Sequence, residues 1–374
     1  MLWNKNFSLL VAANVLLYMA IYLLCPLLHG WLMAEWGCTP LQAAVTVGVF
    51  APAMFLLGVF NNYWVDRYPR KSVAIRALLV IGAANLVYPY AATPLLAGGL
   101  RVVQGAAFGV AVMATGATLV IDVTPGNKRT PANRVFAWSC IVGSALGLMA
   151  ALLGGQYLSF QQLLYVSSAL CLAGIILVSG VEVCFRAPLD VPVCSFDRFL
   201  LFRSLPAGLN MLVVPFVLGV LAVAVPDPFF YCATAMGFFG YVLCRQIFTR
   251  PMNGRWQLFA GQLFVIAGLL ALTLHAGEPP VLYGGGFFVG LGSGFSIGQF
   301  LRMMILLPHH CERASGFQTY LQLWELGILL GVLSACLPGV NYLAPAIIVA
   351  VVGLLVYQFY LHDYFVRHVD TPTT

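Results

Sequence analysis

Charged side chains make up only 8% of this 374-residue sequence, where soluble proteins carry about a quarter. With 61% hydrophobic residues and a mean hydropathy of +0.93, the chain lacks the polar surface that an ordinary water-soluble domain needs. Frameworks built on cysteine are missing as well. The ten cysteines never fall in C-x-x-C spacing, and most sit inside apolar runs, where a thiol behaves as a small hydrophobe. Neither G-x-x-x-x-G-K-[ST] nor H-E-x-x-H occurs, so P-loop nucleotide hydrolysis and zinc proteolysis have no signature here. No metal or cofactor is expected, and no enzymatic activity.

Long apolar runs are what the chain has in abundance. A helix that crosses a hydrocarbon core of about 30 Å needs roughly 20 mostly apolar residues, and twelve such runs can be counted. They cover Phe7 to Leu28, Leu41 to Val65, Ser72 to Ala91, Leu95 to Val123, Arg134 to Tyr157 and Gln161 to Val183, then Ala207 to Val225, Phe229 to Phe248, Trp256 to His275, Val281 to Leu307, Ser315 to Leu337 and Tyr342 to Tyr364. Turn residues break them at "GCTP", "TPGNKRTPAN", "VPDP", "HAGEPP" and "LPHHCERAS". The first run is longer than a signal-peptide core and no small-residue cleavage site follows it, so it reads as a retained helix.

The few charges are sorted by side. With a cytoplasmic N-terminus, seventeen of the eighteen Lys and Arg fall on inside segments, while the outside loops carry only Glu35, Asp227 and Glu278. Such asymmetry orients a multi-pass protein with both termini in the cytoplasm of an inner or plasma membrane. It also accounts for the net charge of +6 without a nucleic-acid partner. With the surface charges and those in the membrane-entry turns set aside, one base and one acid remain. Arg101 lies about two turns into the fourth, and Glu325 lies roughly 15 Å from the start of the eleventh and 18 Å from its end, near the bilayer midplane. A charge at that depth costs several kcal/mol unless it is paired, hydrated or neutralised. Two readings of Glu325 stand: a protonated acid making one structural hydrogen bond, or a group that couples protons or binds substrate. Gln318, Gln322 and Glu325 follow i, i+4, i+7 and form one polar stripe, as a helix lining a wet cavity would. Arg101 is either functional or snorkels to the outer interface.

Polar residues cluster once in mid-chain, dividing the runs six and six. The expected organisation is therefore a six-helix bundle over 1–183, a cytoplasmic linker over 184–206 and a second bundle over 207–374. The halves echo one another weakly at an offset of 184: Arg129 with Arg313, Gly143 with Gly327, Gly147 with Gly331 and Gly155 with Gly339. Parallel halves of this kind can place a substrate site between them at the midplane.

Three short motifs carry a family resemblance. "NYWVDRYPRK" (Asn62 to Lys71) resembles the G-x-x-x-D-R-x-G-R-[KR] loop of the major facilitator superfamily, with Asp66, Arg67, Arg70 and Lys71 on matching positions and Asn62 and Pro69 in place of the glycines. "RVVQGAAFG" (Arg101 to Gly109, with Gln104) is similar to the family's R-x-x-Q-G-x-x-x-G. "DVTPGNKR" (Asp122 to Arg129) is similar to the D-x-x-P-x-x-x-R that closes the same span. The exporters' G-P-x-x-G-G has no counterpart; "GLMAALLGG" stands there, with Leu148 at the proline position. The resemblance implies an all-α membrane protein with twelve helices in two six-helix halves, and a monomeric, alternating-access secondary transporter in the style of the drug and metabolite exporters. It also implies that Asp66, Arg67, Arg70, Lys71, Asp122 and Arg129 form a cytoplasmic gate. The other reading of that loop is a positively charged topology determinant.

The first, fourth, seventh and tenth helices line the cavity in that family. The candidates here are Asn14, Tyr18, Tyr22, Gln104, Asn210, Ser296 and Gln299, with Trp138, Gln318 and Gln322 from the fifth and eleventh. The expected substrate is a small organic solute, with protons coupled through Glu325 and Arg101 and export favoured over uptake. A nutrient symporter, a lipid-handling protein of the same fold and a receptor are the competing readings.

Overall fold

A computed structural model describes residues 2–183, 189–247, 253–275, 277–309, 312–339 and 341–369. Arg186 and Arg250 of the inside charges lie outside them. Every regular element among the described residues is helical. Among the described residues, nine helices are long and apolar enough to cross a membrane. They are α1 (Lys5–Trp36), α2 (Pro40–Arg67), α3 (Arg70–Tyr90), α4 (Pro94–Val123), α5 (Gly126–Gly154), α6 (Phe160–Ser179), and further on Gly254–Leu274, Pro279–Leu306 and Leu343–His368. A tenth span is available if the bent pair α7 (Phe202–Met211) and α8 (Val213–Ala224) counts as one. Two more helices, α9 (Pro228–Ile247) and α12 (Arg313–Ala335), occupy the places of the expected eighth and eleventh runs but are not in that set. The remaining three are numbered α10, α11 and α13 in chain order.

Local sequence explains the boundaries. Asn4 caps α1 by accepting from the Phe7 amide at 2.8 Å. The helix runs on past the expected Leu28 because "HGWLMAEW" contains nothing to stop it before Gly37. That glycine takes the left-handed conformation (φ 59°) and its amide bonds the Met33 carbonyl, an end only glycine adopts cheaply. Thr39 with Gln42 and Ser159 with Gln162 form capping boxes at the starts of α2 and α6. In the middle of α2, Pro52 donates no amide hydrogen and the helix loosens into turns before Gly58. The 41° bend after Met211 has the same cause: Pro215 cannot bond the Met211 carbonyl.

The chain divides into two compact units, Met1–Leu201 with Ala314–Gln322, and Phe202–Arg313 with Leu323–Thr374. In the first, α5 lies on α1 through Gly143, where a Cβ would meet the Val15 carbonyl and Tyr18, and Gly147, where it would meet the Met19 carbonyl. In the second, Gly327 sits against Pro215 and Gly331 against Phe216. The glycines that echo in sequence thus make the same kind of close approach in each unit, which is how lipid-embedded helices without a hydrophobic drive associate. Gly155 and Gly339 differ: only Gly339 has positive φ.

Candidate functional site

The charged loop after α2 folds into a compact cluster in the first unit. The Asp66 carboxylate, whose side chain is 8% exposed, accepts from Arg70 Nη2 at 3.3 Å and from Arg198 Nη1 at 2.6 Å. Arg70 Nη1 also chelates both oxygens of Asp122, at 2.6 and 2.8 Å. Two acids and two arginines therefore alternate, and each bond is charge-assisted. Lys71 turns elsewhere: its ammonium donates to the carbonyls of Ser179 and Val181, capping the negative end of α6. Arg67 and Arg129 are exposed and make no ion pair among the described residues. Of the six expected gate residues, then, the structure gathers Asp66, Arg70 and Asp122 and leaves three aside.

Arg198 was not singled out in the sequence, where it is one of several linker charges. It is the one non-glycine residue with positive φ among those described (53°), and its amide, carbonyl and guanidinium Nη1 are all engaged. Its amide donates to Ser315 Oγ at 2.8 Å and to Asp197 Oδ1 at 2.9 Å, and its carbonyl accepts from Asn61 Nδ2 at 3.1 Å. Around it, the Leu189 amide bonds the Asp66 carbonyl, the Ser195 amide the Val59 carbonyl, and the Leu201 amide Thr319 Oγ1. The end of the linker is thus strapped to α2 and to the first turns of α12. The alternation of Asp197 and Arg198 beside Ser195 was the available signal, but it is a common pattern.

Arg101 does not snorkel. The residue is 2% exposed, with Nε donating to the Val47 carbonyl at 3.0 Å, Nη1 to Gln104 Oε1 at 3.1 Å and Nη2 to Cys25 Sγ at 3.6 Å, and its guanidinium carbon lies 4.5 Å from the centre of the Phe50 ring. Gln104 accepts from Tyr88 at 2.8 Å and donates to Asn85, Asn85 donates to Ser167 and Ser167 to the Ala20 carbonyl. This buried network joins α1, α3, α4 and α6. Arg101 is held in it by carbonyl, amide and ring contacts. The motif's glycines, Gly105 and Gly109, lie against the carbonyls of Phe50 and Met54, and the irregular stretch of α2 is what brings those carbonyls so close.

The other cavity candidates separate into two groups. Asn14 donates to Ser139 Oγ at 2.8 Å and Asn210 to the Gly353 carbonyl at 3.0 Å, so each ties one helix to another in its own unit. Gln299 packs against Gly254 and Ser296 against Gly261. Tyr18 and Tyr22 stack at 6.3 Å, and Tyr18 meets Phe108 edge-on at 5.0 Å. Trp138 is half-buried. Gln318, Gln322 and Glu325 are all buried on α12, at 0%, 0% and 5% exposure.

Gly294 to Gly298, "GFSIG", has the G-x-S-x-G spacing of a hydrolase nucleophile, but that chemistry needs a sharp strand-to-helix turn presenting the serine. Here the segment is interior to the α11 helix, Ser296 is wholly buried and the flanking glycines pack against Tyr241. The glycines are close-packing positions.

Comparison with known proteins adds the following. The profile of the Major Facilitator Superfamily matches residues 10–223. Among curated proteins none matches the chain. Solved structures with the same fold include a bacterial homolog of the human lysosomal transporter Spinster, in an inward-facing and unoccupied conformation (TM-score 0.69, 12% identity, 98% of each chain covered). The occupied form of that homolog gives 0.68 with 13% identity over 99% of this chain and all of the other. The nucleoside transporter NupG gives 0.68 with 11% identity over 97% and 100%.

Proposed function

The chain belongs to the Major Facilitator Superfamily, and on that footing we propose that it is a proton-coupled secondary transporter of a small organic solute, working by alternating access. Families of this fold are membrane transporters rather than catalysts, and the chain is accordingly a multi-pass membrane transporter and no enzyme. The finer reading is ours: twelve spans in two six-helix halves, both termini cytoplasmic, in an inner or plasma membrane, with export favoured. The twelve-span reading draws on α9 and α12, which fill the two places that hydropathy alone leaves open, and on the paired glycines that pack each unit.

Glu325 carries the proposal. A carboxyl 5% exposed in the middle of a membrane helix is held away from bulk water, where a charge must be compensated by its surroundings. Such a group can take a proton on one side and release it on the other when its surroundings change, which is the minimum that proton coupling requires. Asp66, Arg70, Asp122 and Arg198 serve in this reading as the cytoplasmic gate, because their bonds can be exchanged as a set without stranding a charge. The purified protein in liposomes holding a pH-sensitive dye tests it. Substrate-induced proton flux that Glu325→Gln loses, with counterflow retained, is the expected result. Flux of unchanged pH dependence in that variant removes Glu325 from the mechanism.

A further inference from the structure

Gln318 and Gln322 lie one turn apart on α12, both wholly buried. Gln318 makes one long bond, from Nε2 to the Gly109 carbonyl at 3.4 Å, and its Oε1 has no partner; Gln322 has none at either amide atom. Their neighbour Thr319, equally buried, is fully engaged: its hydroxyl donates to the Ser315 carbonyl and accepts from the Leu201 amide, each at 2.8 Å. The same stretch of helix thus completes one polar side chain from the protein's own atoms and leaves the next incomplete. Native proteins pair more than nine-tenths of their buried polar groups, so an amide left open on both atoms calls for an explanation.

The surroundings narrow what could complete it. Phe317 lies 6.3 Å from Phe136 and stacks with Tyr320 at 6.4 Å, and both Phe136 and Phe317 close on Gly116, where a Cβ would meet their rings. Carboxylates of the first unit, from Glu35 to Asp197, sit in loops or at helix ends, and its one buried arginine is occupied by Val47 and Gln104. A carboxamide offers a donor and an acceptor side by side and carries no charge. The group it matches is one that offers the complementary pair on a flat, uncharged frame.

We propose that Gln322, assisted by Gln318, is the recognition point for a neutral cyclic amide or imide, bound through adjacent N–H and C=O groups. This inference rests on the transport reading above and names the substrate class of that same pathway. It is distinct from proton coupling, which needs only Glu325, three residues further on.

The test uses the full-length protein in nanodiscs and four probes, uracil, 2-pyridone, glutarimide and ε-caprolactam, each beside its fully N-methylated counterpart. Binding is read from tryptophan fluorescence and from the shift in melting temperature. At least one N–H probe should bind 10-fold or more tightly than its N-methyl partner, and Gln322→Leu should erase that preference while raising the ligand-free melting temperature, because an incomplete buried amide is removed. A purely structural glutamine predicts the opposite, a fall in melting temperature. Equal binding of N–H and N-methyl probes, a preference that survives in Gln322→Leu, or no binding of any of the four overturns the proposal. Counterflow in liposomes separates the two levels: discrimination without transport leaves this inference standing and sinks the transport reading, while transport of compounds lacking an N–H does the reverse.

Discussion

Arg198 offers a perturbation whose size differs between two small substitutions. Replacing it with alanine removes a 2.6 Å charge-assisted bond to Asp66 but keeps the left-handed backbone, which costs a non-glycine residue about 1–2 kcal/mol. Replacing it with glycine removes the same bond and that cost together. The ion pair is partly screened, since the Arg198 side chain is 20% exposed, but Asp66 at 8% is not. A hydrogen bond to a charged group contributes about 1.5–3 kcal/mol, and screening places this one toward the lower end, about 2 kcal/mol. Asp66 retains Arg70, so Arg198→Ala should loosen the strap rather than unfold the unit.

Amide exchange reads this directly. Leu189, Ser195 and Leu201 each donate an amide from the linker to the first unit, and their protection measures the strap's own opening. Arg198→Ala should speed exchange at all three by roughly 30-fold, at about 1.4 kcal/mol per decade, with amides of α5 unchanged. Arg198→Gly should speed it by roughly threefold, and the gap between wild type and Arg198→Ala should shrink as salt is raised. Equal protection in wild type and Arg198→Ala, or faster exchange in the glycine variant than in the alanine one, would refute the reasoning.

Other consequences can be read from the same contacts. On α4, Gly109→Ala should destabilise by about 1–3 kcal/mol because the new Cβ meets the Met54 carbonyl at 2.7 Å, whereas Gly99→Ala, facing open space, should stabilise by up to about 1 kcal/mol; thermal melts in detergent compare them. Arg101→Lys keeps the charge but cannot reach Val47, Gln104 and the Phe50 face together, and it should lower stability by about 2 kcal/mol in the same assay; a neutral result would mean that the arginine serves as charge alone. Lys71→Gln should fray the end of α6 by about 0.3–1 kcal/mol, seen as faster exchange near Ser179, with the Asp66 cluster undisturbed.

Most of the architecture was legible because lipid imposes one solution: backbone groups must be satisfied internally, so long apolar runs have to be helices. Capping is decided just as locally, by Thr39 with Gln42 and Ser159 with Gln162. What resisted was anything decided by a residue far along the chain. Arg70 and Asp122 are 52 positions apart, and Arg198 reaches Asp66 across 132, with a backbone conformation that no composition rule assigns to arginine. Lys71 and Arg67 sit on the same motif as Asp66, yet helix geometry turns one toward α6 and the other to solvent.

Gln104 and Gln322 show where such reading stops. Both are glutamines, both wholly buried at 0% exposure, and both follow from sequence as polar residues at membrane depth. Gln104 sits where Tyr88, Asn85 and Arg101 complete its amide. Gln322 has no hydrogen-bond partner at either amide atom. Depth and identity are properties of one position, whereas completion depends on what the surrounding residues bring, here two from α3 and one from α4 itself, and completion is what separates a structural polar residue from one poised for a ligand. An incomplete amide is unfavourable in the ligand-free protein, so substitution by leucine should stabilise the protein while removing its selectivity. That pairing of gain and loss is expected wherever a fold holds a recognition group ready.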